Sequence, residues 1–528
     1  MKDRFKRSVI KIYNSFQSFT EIYKNKDLIN AYKEIINLNK EKGQTKYKKM
    51  ILDGGFYNLG YQYRLQLLRS ALKLKIENEH AFIWDCNIHT CKNFLKSIGI
   101  KNISYLKDCY TKENKREAEK IAKEIDSKSA LINYTFPDNV PGLFLYDVIL
   151  KGQKSATLDI KDKNLSKYIF KFISSIKFSK KLINSFKPDI IALSHGISYQ
   201  CAPIAWLAAK KGIPVIILYG EYGVPRLWRL NKPEDIFYGI GHPIKENIDS
   251  LKKEKIIELT SIGEKYLSRR LSGSTKDIGG KYAFQNNKDQ LDIVIDKTKH
   301  NKVIAIYLGN WFDFPHIFGM SRFIDIFDWI TKTIKFAAKN KNVFWIIKPH
   351  PMDDWYGGLT LKDVLKTKLP KNVIILRNNY SGKSVIEKSD GLITYHGTSA
   401  IEFAAMGKPV MVTDKGWYHD CGFVKFPKSK KEYLKNLGED WFFSVDVKQN
   451  EKNAKLFAGL YFGIPLWQKN GVLPDDADRK LLRTYLPRFI KNKESIIKKE
   501  IKFIKSWIDM ETIDYHTYKM NKSKRYTI

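Results

Sequence analysis

The sequence predicts an α/β fold built on parallel sheets, because predicted strands alternate with predicted helices and each strand is a continuous apolar run. This pattern is clearest between positions 343 and 423. The predicted strands there are Val343–Ile347, Val373–Leu376, Gly391–Tyr395 and Pro409–Thr413, and the predicted helices are Ser381–Lys388 and Ala400–Met406. Such strands are typical of sheets that helices cover on both faces. Ligands of these sheets bind beyond the carboxyl ends of the strands.

Two polar segments lie at such carboxyl ends. The first is Lys348, Pro349, His350 and Pro351, and the second is His396, Gly397, Thr398 and Ser399. Lys348 and His350 supply positive charge and hydrogen-bond donors, and the backbone N–H groups at a helix start attract anions. A glycine at 397 permits close backbone approach, and the two hydroxyls add donors for phosphate oxygens. The two segments together predict a phosphate site.

Each segment also has a purely structural interpretation. Ser399 and Glu402 have the spacing of a capping box, in which both side chains satisfy only the start of their own helix. The prolines on either side of His350 fix φ and end the strand, so this segment is also compatible with a rigid turn. The presence of both segments in one predicted sheet favours phosphate binding.

These motifs resemble the donor half of capsule and surface-polysaccharide glycosyltransferases. The resemblance is carried by the segments Ile347–Pro351, Ser389–Gly391, His396–Glu402 and Gly407–Val410, with Asp313–His316 and Trp329 upstream. They are similar to bacterial Kdo transferases and share motifs with bacterial sialyltransferases of the two-domain GT-B type. The resemblance implies a GT-B fold of two facing Rossmann-like domains with parallel sheets. The donor nucleotide would bind in the second domain and the acceptor in the first.

The composition is that of a basic globular protein. The chain has 528 residues, of which 43% are hydrophobic and 13% aromatic, enough for large cores in about two to four domains. Its formal net charge is +37, from 93 Lys and Arg against 56 Asp and Glu. This charge attracts phosphates, nucleic acid or anionic membranes. Because abundant Lys, Asn and Ile are also typical of an AT-rich genome, the charge alone indicates no partner.

The cysteines and the absence of long apolar runs predict a cytoplasmic protein. The five cysteines are Cys86, Cys91, Cys109, Cys201 and Cys421. They show neither the pair spacing of a metal site nor a dense disulfide pattern. No apolar stretch of signal-peptide length opens the chain, and no run of about eighteen apolar residues could span a bilayer. Any membrane association is therefore expected to be peripheral.

The sequence predicts four regions. They are a helical extension at 1–45, an amino-terminal Rossmann-like acceptor domain at 46–290, a carboxyl-terminal Rossmann-like donor domain at 291–480 and a basic helical tail at 481–528. The Lys-rich span 245–290 is the predicted boundary between the two domains. The amino-terminal domain has predicted strands at Lys49–Asp53, Ala81–Asp85, Ala130–Asn133, Ile190–Leu193 and Val215–Tyr219. Its first strand leads into a loop with Asp53, Gly54, Gly55 and Asn58.

This glycine loop opens a Rossmann-like unit but lacks the full dinucleotide fingerprint, so a bound NAD is not expected. In a two-domain glycosyltransferase the loop would face the acceptor, and a tight structural turn is the alternative. Asp313, in the loop after the predicted strand Val303–Leu308, would contact substrate in such a fold. A surface helix cap is the alternative for Asp313.

The resemblance also implies a general base in the amino-terminal domain. Glu221 matches the first acidic position of an acidic-acidic-Gly motif in the relatives, and Arg226 matches a basic residue that follows it. The second acidic position, which supplies the base in the relatives, is Tyr222 here. The base is therefore Glu221, or His195 at the end of the neighbouring strand, or a residue elsewhere. His195 is equally compatible with a structural role.

For the donor, the resemblance implies a CMP-linked acidic sugar such as Kdo, and a glycan or lipid-linked glycan is the implied acceptor. His350 would hydrogen-bond or protonate the cytidylate phosphate, and Glu402 would contact the ribose. The other predicted donor-binding residues are Lys348, Pro351, His396, Gly397, Thr398 and Ser399. No Asp-x-Asp motif occurs in a convincing context, so we expect inverting displacement without a metal or other cofactor. UDP and GDP donors stay open, because the same fold handles them.

Two further functions compete with this interpretation. A teichoic-acid-type polyol-phosphate transferase would use a CDP-polyol, and it shares the Lys-Pro-His-Pro and Ser/Thr motifs. A non-catalytic basic protein would bind nucleic acid or an anionic membrane, but the lysines are spread along the whole chain and no nucleic-acid module is recognisable. The basic tail carries an apolar stripe at Ile496, Ile497, Ile501, Ile504 and Trp507. This stripe either lies on anionic lipid or packs against the first domain.

Overall fold

The computed structural model describes residues 25–38, 46–56, 58–85, 88–221, 224–238, 241–275, 278–284, 291, 299–351, 361, 365, 369–377, 379–468 and 479–527. Helices α1 to α8 are Lys26–Asn37, Leu59–Leu72, Ile88–Ser97, Lys112–Glu124, Lys128–Ile132, Gly142–Gln153, Leu165–Phe186 and Ser198–Lys210. Helices α9 to α16 are Lys245–Asp249, Lys253–Leu271, Ile278–Ala283, Ile326–Ala337, Gly382–Lys388, Ser399–Ala405, Lys430–Leu437 and Val447–Phe462. Helices α17 to α19 are Arg479–Asn492, Glu494–Met510 and Tyr515–Lys522.

The strands follow the same numbering along the chain. Strands β1 to β8 are Met50–Asp53, Glu79–Ile83, Asn102–Tyr105, Thr135–Phe136, Val140–Pro141, Ile190–Leu193, Val215–Glu221 and Val224–Leu230. Strands β9 to β15 are Lys302–Tyr307, Val343–Lys348, Val373–Ile375, Gly391–Thr394, Val410–Val412, Ile464–Pro465 and Tyr526–Thr527. The α/β class predicted from the sequence is confirmed.

The chain forms two compact units. The first unit consists of residues 1–149, 160–241 and 466–522, and the second consists of 150–159, 242–465 and 523–528. These limits differ from the predicted domain limits in several places, and two of the differences are large. The span from 242 onwards joins the second unit rather than the first, and most of the tail belongs to the first unit rather than standing as a separate region.

The first unit contains a sheet whose strand order is β3-β2-β1-β6-β7-β8. Strands β1 and β6 are fully buried, as expected of continuous apolar strands in a sheet that helices cover on both faces. The neighbouring strands β3, β2, β1, β6 and β7 are all parallel. Their order is that of a Rossmann unit. Strand β8 is antiparallel to β7, and Tyr219 pairs with Arg226. The predicted parallel sheet therefore ends in one antiparallel strand at this edge, where the segment after Glu221 returns as a strand.

A second correction concerns the segment Ala130–Asn133, which is a helix rather than the predicted strand. Helix α5 covers Lys128–Ile132, and the hydroxyl of Ser127 accepts a hydrogen bond from the backbone N–H of Ala130 at 3.0 Å. This side-chain cap satisfies a helix start that a strand would not have. The apolar run was too short for its period to separate the two structures.

The core of the first unit includes helices from both ends of the chain. Apart from the partly buried Ile496, the apolar stripe of α18 is buried. The buried residues of α1 join the same core, which contains Leu28, Ala31, Tyr32, Ile35, Ile497, Ile501, Ile504 and Trp507. The stripe therefore packs inside the protein rather than offering an apolar face to lipid. The described residues of the structure include no helix long and apolar enough to cross a membrane.

The second unit has a sheet of strand order β11-β10-β9-β12-β13, and all its pairs are parallel. This order is also that of a Rossmann unit. The predicted strands of this region are confirmed to within two residues at each end. Two Rossmann-like units are thus present, as predicted.

Helices α10 and α16 explain why the span after 242 joins the second unit. The two helices cross where Gly263 faces Gly459, and a Cβ added at Gly459 would lie 1.7 Å from the carbonyl oxygen of Leu259. A Cβ at Gly263 would lie 1.9 Å from the carbonyl oxygen of Lys455. Only glycines permit so close a backbone approach. This contact attaches α10, a Lys-rich helix from the predicted boundary between the domains, to the second unit.

Candidate functional site

The strands of the second unit bring the predicted donor residues to one edge of the sheet. Lys348 at the end of β10 pairs with Tyr307 of β9, and Tyr307 pairs with Thr394 of β12. The three strand ends are therefore level. Because the strands are parallel, the segments that follow all begin at the same edge, where ligands of such sheets bind.

Lys348 is buried, with 2% of its surface exposed. Its ammonium group donates a hydrogen bond to the carbonyl oxygen of Tyr380 at 2.9 Å. Burying an ammonium group costs free energy unless the group is hydrogen-bonded, and the bond to Tyr380 offsets part of this cost. Direct binding of a phosphate by Lys348 stays a prediction.

His350 is partly buried in the turn that follows β10, next to the partly buried Pro351. Burial lowers the pKa of His350 to about 4, and the negative charge of Asp313 opposes this shift. The Asp313 carboxylate is itself paired with the ammonium group of Lys151 at 2.7 Å. His350 is thus neutral near pH 7, when an imidazole offers one donor and one acceptor rather than a positive charge.

His396 occupies the matching position after β12. Its ring lies 5.0 Å from that of Phe318 and 4.9 Å from that of Tyr395. Burial lowers the pKa of His396 to about 4, the charge of Asp414 raises it, and His316 lowers it further. Two neutral histidines therefore follow two strands that flank β9. Asp414 and Phe318 were not predicted as site residues, because neither lies in a motif and only the fold brings them to His396.

The segment from Gly397 to Ser399 forms the start of α14. Thr398 is the residue before the helix, and its side chain makes no capping hydrogen bond. Ser399 is thus the first residue of α14, whereas the capping box considered from the sequence requires it as the residue before the helix. A Cβ at Gly397 would lie 3.1 Å from Thr394 Oγ1 and 3.3 Å from Ser399 Oγ. Two hydroxyl groups thus lie close to the glycine backbone, as expected of a site that admits a polar ligand near the main chain.

Glu402 has a structural partner in the same unit. Its carboxylate lies 2.6 Å from the Nε of Arg270, and both side chains are almost fully buried. This ion pair links α14 to α10. The predicted contact of Glu402 with a ribose is not tested by this arrangement and stays a prediction.

The first unit holds a second group of polar side chains, centred on Asp53 at the end of β1. Asp53 is fully buried. Its Oδ1 accepts hydrogen bonds from the backbone N–H of Gly55 at 2.9 Å, the backbone N–H of Phe56 at 3.2 Å and Trp84 Nε1 at 2.9 Å. A Cβ at Gly55 would lie 2.4 Å from Trp84 Nε1, so the glycine admits the indole. Burial raises the pKa of Asp53, and these donors oppose the shift.

The rest of the glycine loop supports this turn. The N–H of Gly54 donates to the carbonyl oxygen of Phe82 at 2.8 Å. Asn58 caps α2, because its side chain accepts from the N–H of Tyr61 at 2.9 Å. The geometry is that of a tight turn around Asp53, the alternative considered from the sequence. Acceptor binding by these residues stays a prediction.

His195 lies next to Asp53 through one intervening side chain. Ser194 follows β6, the neighbour of β1, and its hydroxyl donates to Asp53 Oδ2 at 2.5 Å. The Nδ1 of His195 lies 3.0 Å from the same hydroxyl oxygen. His195 is only partly buried, whereas Ser194 and Asp53 are buried. The three side chains form a connected path from the core of the unit towards its surface.

The other predicted residues of the first unit lie on the hairpin of β7 and β8. Glu221 is the last residue of β7 and pairs with Val224, and Tyr222 lies outside the described residues. Arg226 lies within β8 rather than at a polar strand tip, and it is fully buried. Burial raises the pKa of Asp514 to about 7, and the positive charge of Arg226 is among the contacts that oppose this shift. A role of Arg226 in substrate binding stays a prediction.

Within the described ranges, no group of three or more His, Cys, Asp or Glu side chains is arranged to hold a metal ion. The prediction of metal-independent chemistry concerns the reaction itself and stays a prediction. The cysteines described, Cys91, Cys109, Cys201 and Cys421, are not joined in disulfides.

Comparison with known proteins finds sequence relatives but no matching family. No family description matches the chain. It is 26% identical over 239 residues to the UDP-N-acetylglucosamine-N-acetylmuramyl-(pentapeptide) pyrophosphoryl-undecaprenol N-acetylglucosamine transferase of Ruminiclostridium cellulolyticum, which covers 43% of this chain and 63% of the relative. It is 41% identical over 51 residues to the protein of the same name from Listeria welshimeri, covering 10% and 14%. The chain thus spans less than two thirds of these curated relatives.

The solved structures that the comparison finds include glycosyltransferases and epimerases. Thermosulfurimonas dismutans KpsC, a beta Kdo 2,4 transferase, aligns with 52% of this chain and 79% of its own chain at 16% identity and a TM-score of 0.34. UDP-GlcNAc 2-epimerase from Neisseria meningitidis aligns with 86% and 99% at 14% identity and a TM-score of 0.23. Scores this low support no conclusion about activity. The sequence relatives are glycosyltransferases, which confirms the predicted resemblance to glycosyltransferases. The two Rossmann-like units agree with the fold that this resemblance implies.

Proposed function

We propose that this chain is a glycosyltransferase of bacterial capsule or surface-polysaccharide synthesis, which transfers a sugar from a nucleotide donor to a glycan acceptor. The observation that carries the proposal is the level row of strand ends in the second unit, Lys348, Tyr307 and Thr394. The segments after this row hold two neutral histidines and the hydroxyls of Thr398 and Ser399. These groups suit a diphosphate or monophosphate leaving group.

The chemistry explains why such groups are needed. When a sugar leaves a nucleotide, negative charge develops on the departing phosphate, and preorganised donors stabilise that charge. A neutral His350 donates through its N–H group without the cost of burying a second charge near Lys348. Binding of a phosphate beside it would favour the charged form and raise the pKa of His350 from about 4. The histidine is therefore suited to hydrogen-bond the phosphate on binding and to protonate it on departure.

The acceptor requires a base, and the first unit offers one. A general base must be able to accept a proton near neutral pH and must reach the attacking hydroxyl. Glu221 ends β7, and His195 follows the neighbouring strand β6, so both lie towards the carboxyl edge of the first sheet. We propose that the acceptor glycan, free or lipid-linked, binds at this edge and that displacement proceeds with inversion and without a metal.

For the donor we propose a CMP-linked acidic sugar such as Kdo. The motifs Lys348–Pro351 and His396–Glu402 support it, since they resemble those of Kdo transferases and sialyltransferases. UDP is the competing nucleotide, because the sequence relatives are named as UDP-N-acetylglucosamine-dependent transferases.

The test measures thermal stabilisation of the full chain by CMP, UDP and GDP at equal concentrations, followed by transfer assays with the corresponding sugars. A ligand that binds only the folded state stabilises it by about 2.7 kcal/mol at a hundred times its Kd. We expect the order CMP above UDP and GDP. A preference for UDP would remove the acidic-sugar donor and retain a glycosyltransferase. Failure of all three nucleotides, with no transfer, would overturn the proposed function.

A further inference from the structure

The path from Asp53 through Ser194 to His195 has a defined direction of hydrogen bonding. Asp53 Oδ1 accepts from two backbone N–H groups and from the indole of Trp84. Its Oδ2 accepts from the Ser194 hydroxyl at 2.5 Å and lies 3.7 Å from the Cys201 thiol. Every neighbour of the carboxylate in this set is a donor. The ionised form is thus the one whose hydrogen bonds are satisfied, in spite of its burial.

This direction determines which nitrogen of His195 carries the proton. Because the Ser194 hydrogen points to Asp53, the Ser194 oxygen is the acceptor in its contact with His195 Nδ1. His195 must therefore donate from Nδ1, and the neutral ring then has its lone pair on Nε2. The ring is also held by Phe56, whose centroid lies 4.7 Å away in an edge-on arrangement. Tautomer and ring orientation are fixed together.

We propose that His195 is the general base of the transfer reaction and that Ser194 and Asp53 are positioning residues that keep its proton on Nδ1. This inference rests on the proposed function. In the reaction, the acceptor hydroxyl gives its proton to His195 Nε2, and its oxygen forms the bond to the anomeric carbon. The bond from that carbon to the nucleotide phosphate breaks, and its electron pair leaves with the phosphate. The imidazolium formed keeps its Nδ1–H bond to Ser194, and Asp53 stabilises its charge through the hydroxyl.

The substitution Asp53→Asn offers a sharp test, because it should reverse the direction of the path. The three donors at Oδ1 force the amide oxygen of the new side chain to that side. Its NH₂ group then faces Ser194 and becomes the donor. The Ser194 hydroxyl must accept from the amide and donate to His195 Nδ1. The histidine proton would move to Nε2, where it blocks proton acceptance.

The first measurement is independent of activity. The chain has 10 histidines, so ¹⁵N-histidine spectra of the parent are assigned by comparison with His195→Gln. We expect the Nδ1–H tautomer for His195 in the parent, the Nε2–H tautomer in Asp53→Asn and a mixture in Ser194→Ala. An Nε2–H tautomer in the parent, or no change in either variant, would overturn the inference. Ser194→Ala keeps the test valid if Asp53→Asn does not fold.

The first unit contains a matched control for the histidine and serine pair. His80 Nε2 lies 2.9 Å from the Ser104 hydroxyl, and both residues lie within strands β2 and β3 rather than in the segments that follow them. Ser104→Ala removes the same kind of contact. We expect it to change the spectrum of His80 alone and to leave transfer unchanged.

The second measurement is transfer. Loss of a general base typically lowers turnover by about 10²–10⁴-fold, so we expect His195→Gln and Asp53→Asn to lose turnover in that range with little change in KM for the donor. Ser194→Ala should lose less, because part of the histidine keeps the active tautomer. Full turnover in Asp53→Asn and His195→Gln, with loss in Glu221→Gln, would overturn the inference and leave the proposed function standing. If the parent transfers no sugar, the proposed function fails, and the tautomers still decide whether the path positions His195.

Discussion

Arg270 Nε lies 2.6 Å from Glu402 Oε1, and this ion pair is almost completely buried within the second unit. The pair joins α14, which follows the polar segment His396–Ser399, to α10. Helix α10 was predicted to lie in the amino-terminal domain. Buried ion pairs are costly to form but very costly to break, because one partner is left charged and unsatisfied.

We therefore expect Arg270→Met to lower the free energy of unfolding by about 3–5 kcal/mol in urea denaturation. The control is Lys383→Met, which removes an exposed pair with Glu387 at 3.8 Å and should cost less than about 1 kcal/mol. Equal small losses for both variants would show that the buried pair does not hold α10 and α14 together.

Ser399→Ala separates ligand binding from helix capping. Since Ser399 is the first residue of α14 rather than the residue before it, its loss should hardly change the melting temperature but should weaken nucleotide binding. Ser429 is the matched control, because its hydroxyl accepts from the N–H of Glu432 at 3.1 Å at the start of α15. Ser429→Ala should lose about 1 kcal/mol of stability and no nucleotide affinity. A large stability loss in Ser399→Ala without a change in affinity would favour the capping interpretation.

His350→Ala should abolish transfer while leaving the fold intact, because the side chain lies in a turn after β10 and contributes little to the core. The control is His300→Ala, which removes a partly buried histidine near the opposite end of the same sheet, where Nδ1 contacts the carbonyl oxygen of Lys341 at 2.9 Å. The two variants are compared by turnover and by melting temperature. Undiminished transfer in His350→Ala would contradict its role at the phosphate.

The lowered pKa values of His350 and His396 predict a pH dependence of stability. Both are about 4 in the folded chain against about 6.5 unfolded. Between these values the unfolded state binds more protons, so the folded state loses stability as the pH falls from about 6.5 to about 4. Asp514 acts in the opposite direction, because burial raises its pKa to about 7.

Comparison of the parent with single His350→Gln and His396→Gln variants isolates each histidine from that background. In the parent, each histidine should lower the free energy of unfolding by on the order of 2 kcal/mol as the pH falls over this range. The variant that lacks the histidine should not show this decrease. The measurement is urea denaturation at pH 7 and at pH 4.5. Parallel pH curves for parent and variants would show that burial does not keep these histidines neutral.

The sequence by itself determined the fold class and most of the second unit. Its strands are continuous apolar runs with polar segments at their carboxyl ends, and this local signal survives because each strand is buried on both faces. The strands β10 and β12 and the two histidines after them were therefore predictable from period and position. The glycine loop at Asp53 was recognised as a loop for the same reason.

Only the tertiary structure decided how distant segments combine. The antiparallel strand β8 follows Tyr222 and Gly223, a residue pair that carries no strong hairpin signal, and α5 is too short for its period to be read. The attachment of α10 depends on Gly263 and Gly459, which are 196 residues apart and act only when their backbones meet. Likewise, nothing in the sequence relates Asp53 to Ser194, and the two residues meet only because β1 and β6 are neighbouring strands. Hydrogen-bond direction and buried charge belong to such long-range contacts, which no local pattern contains.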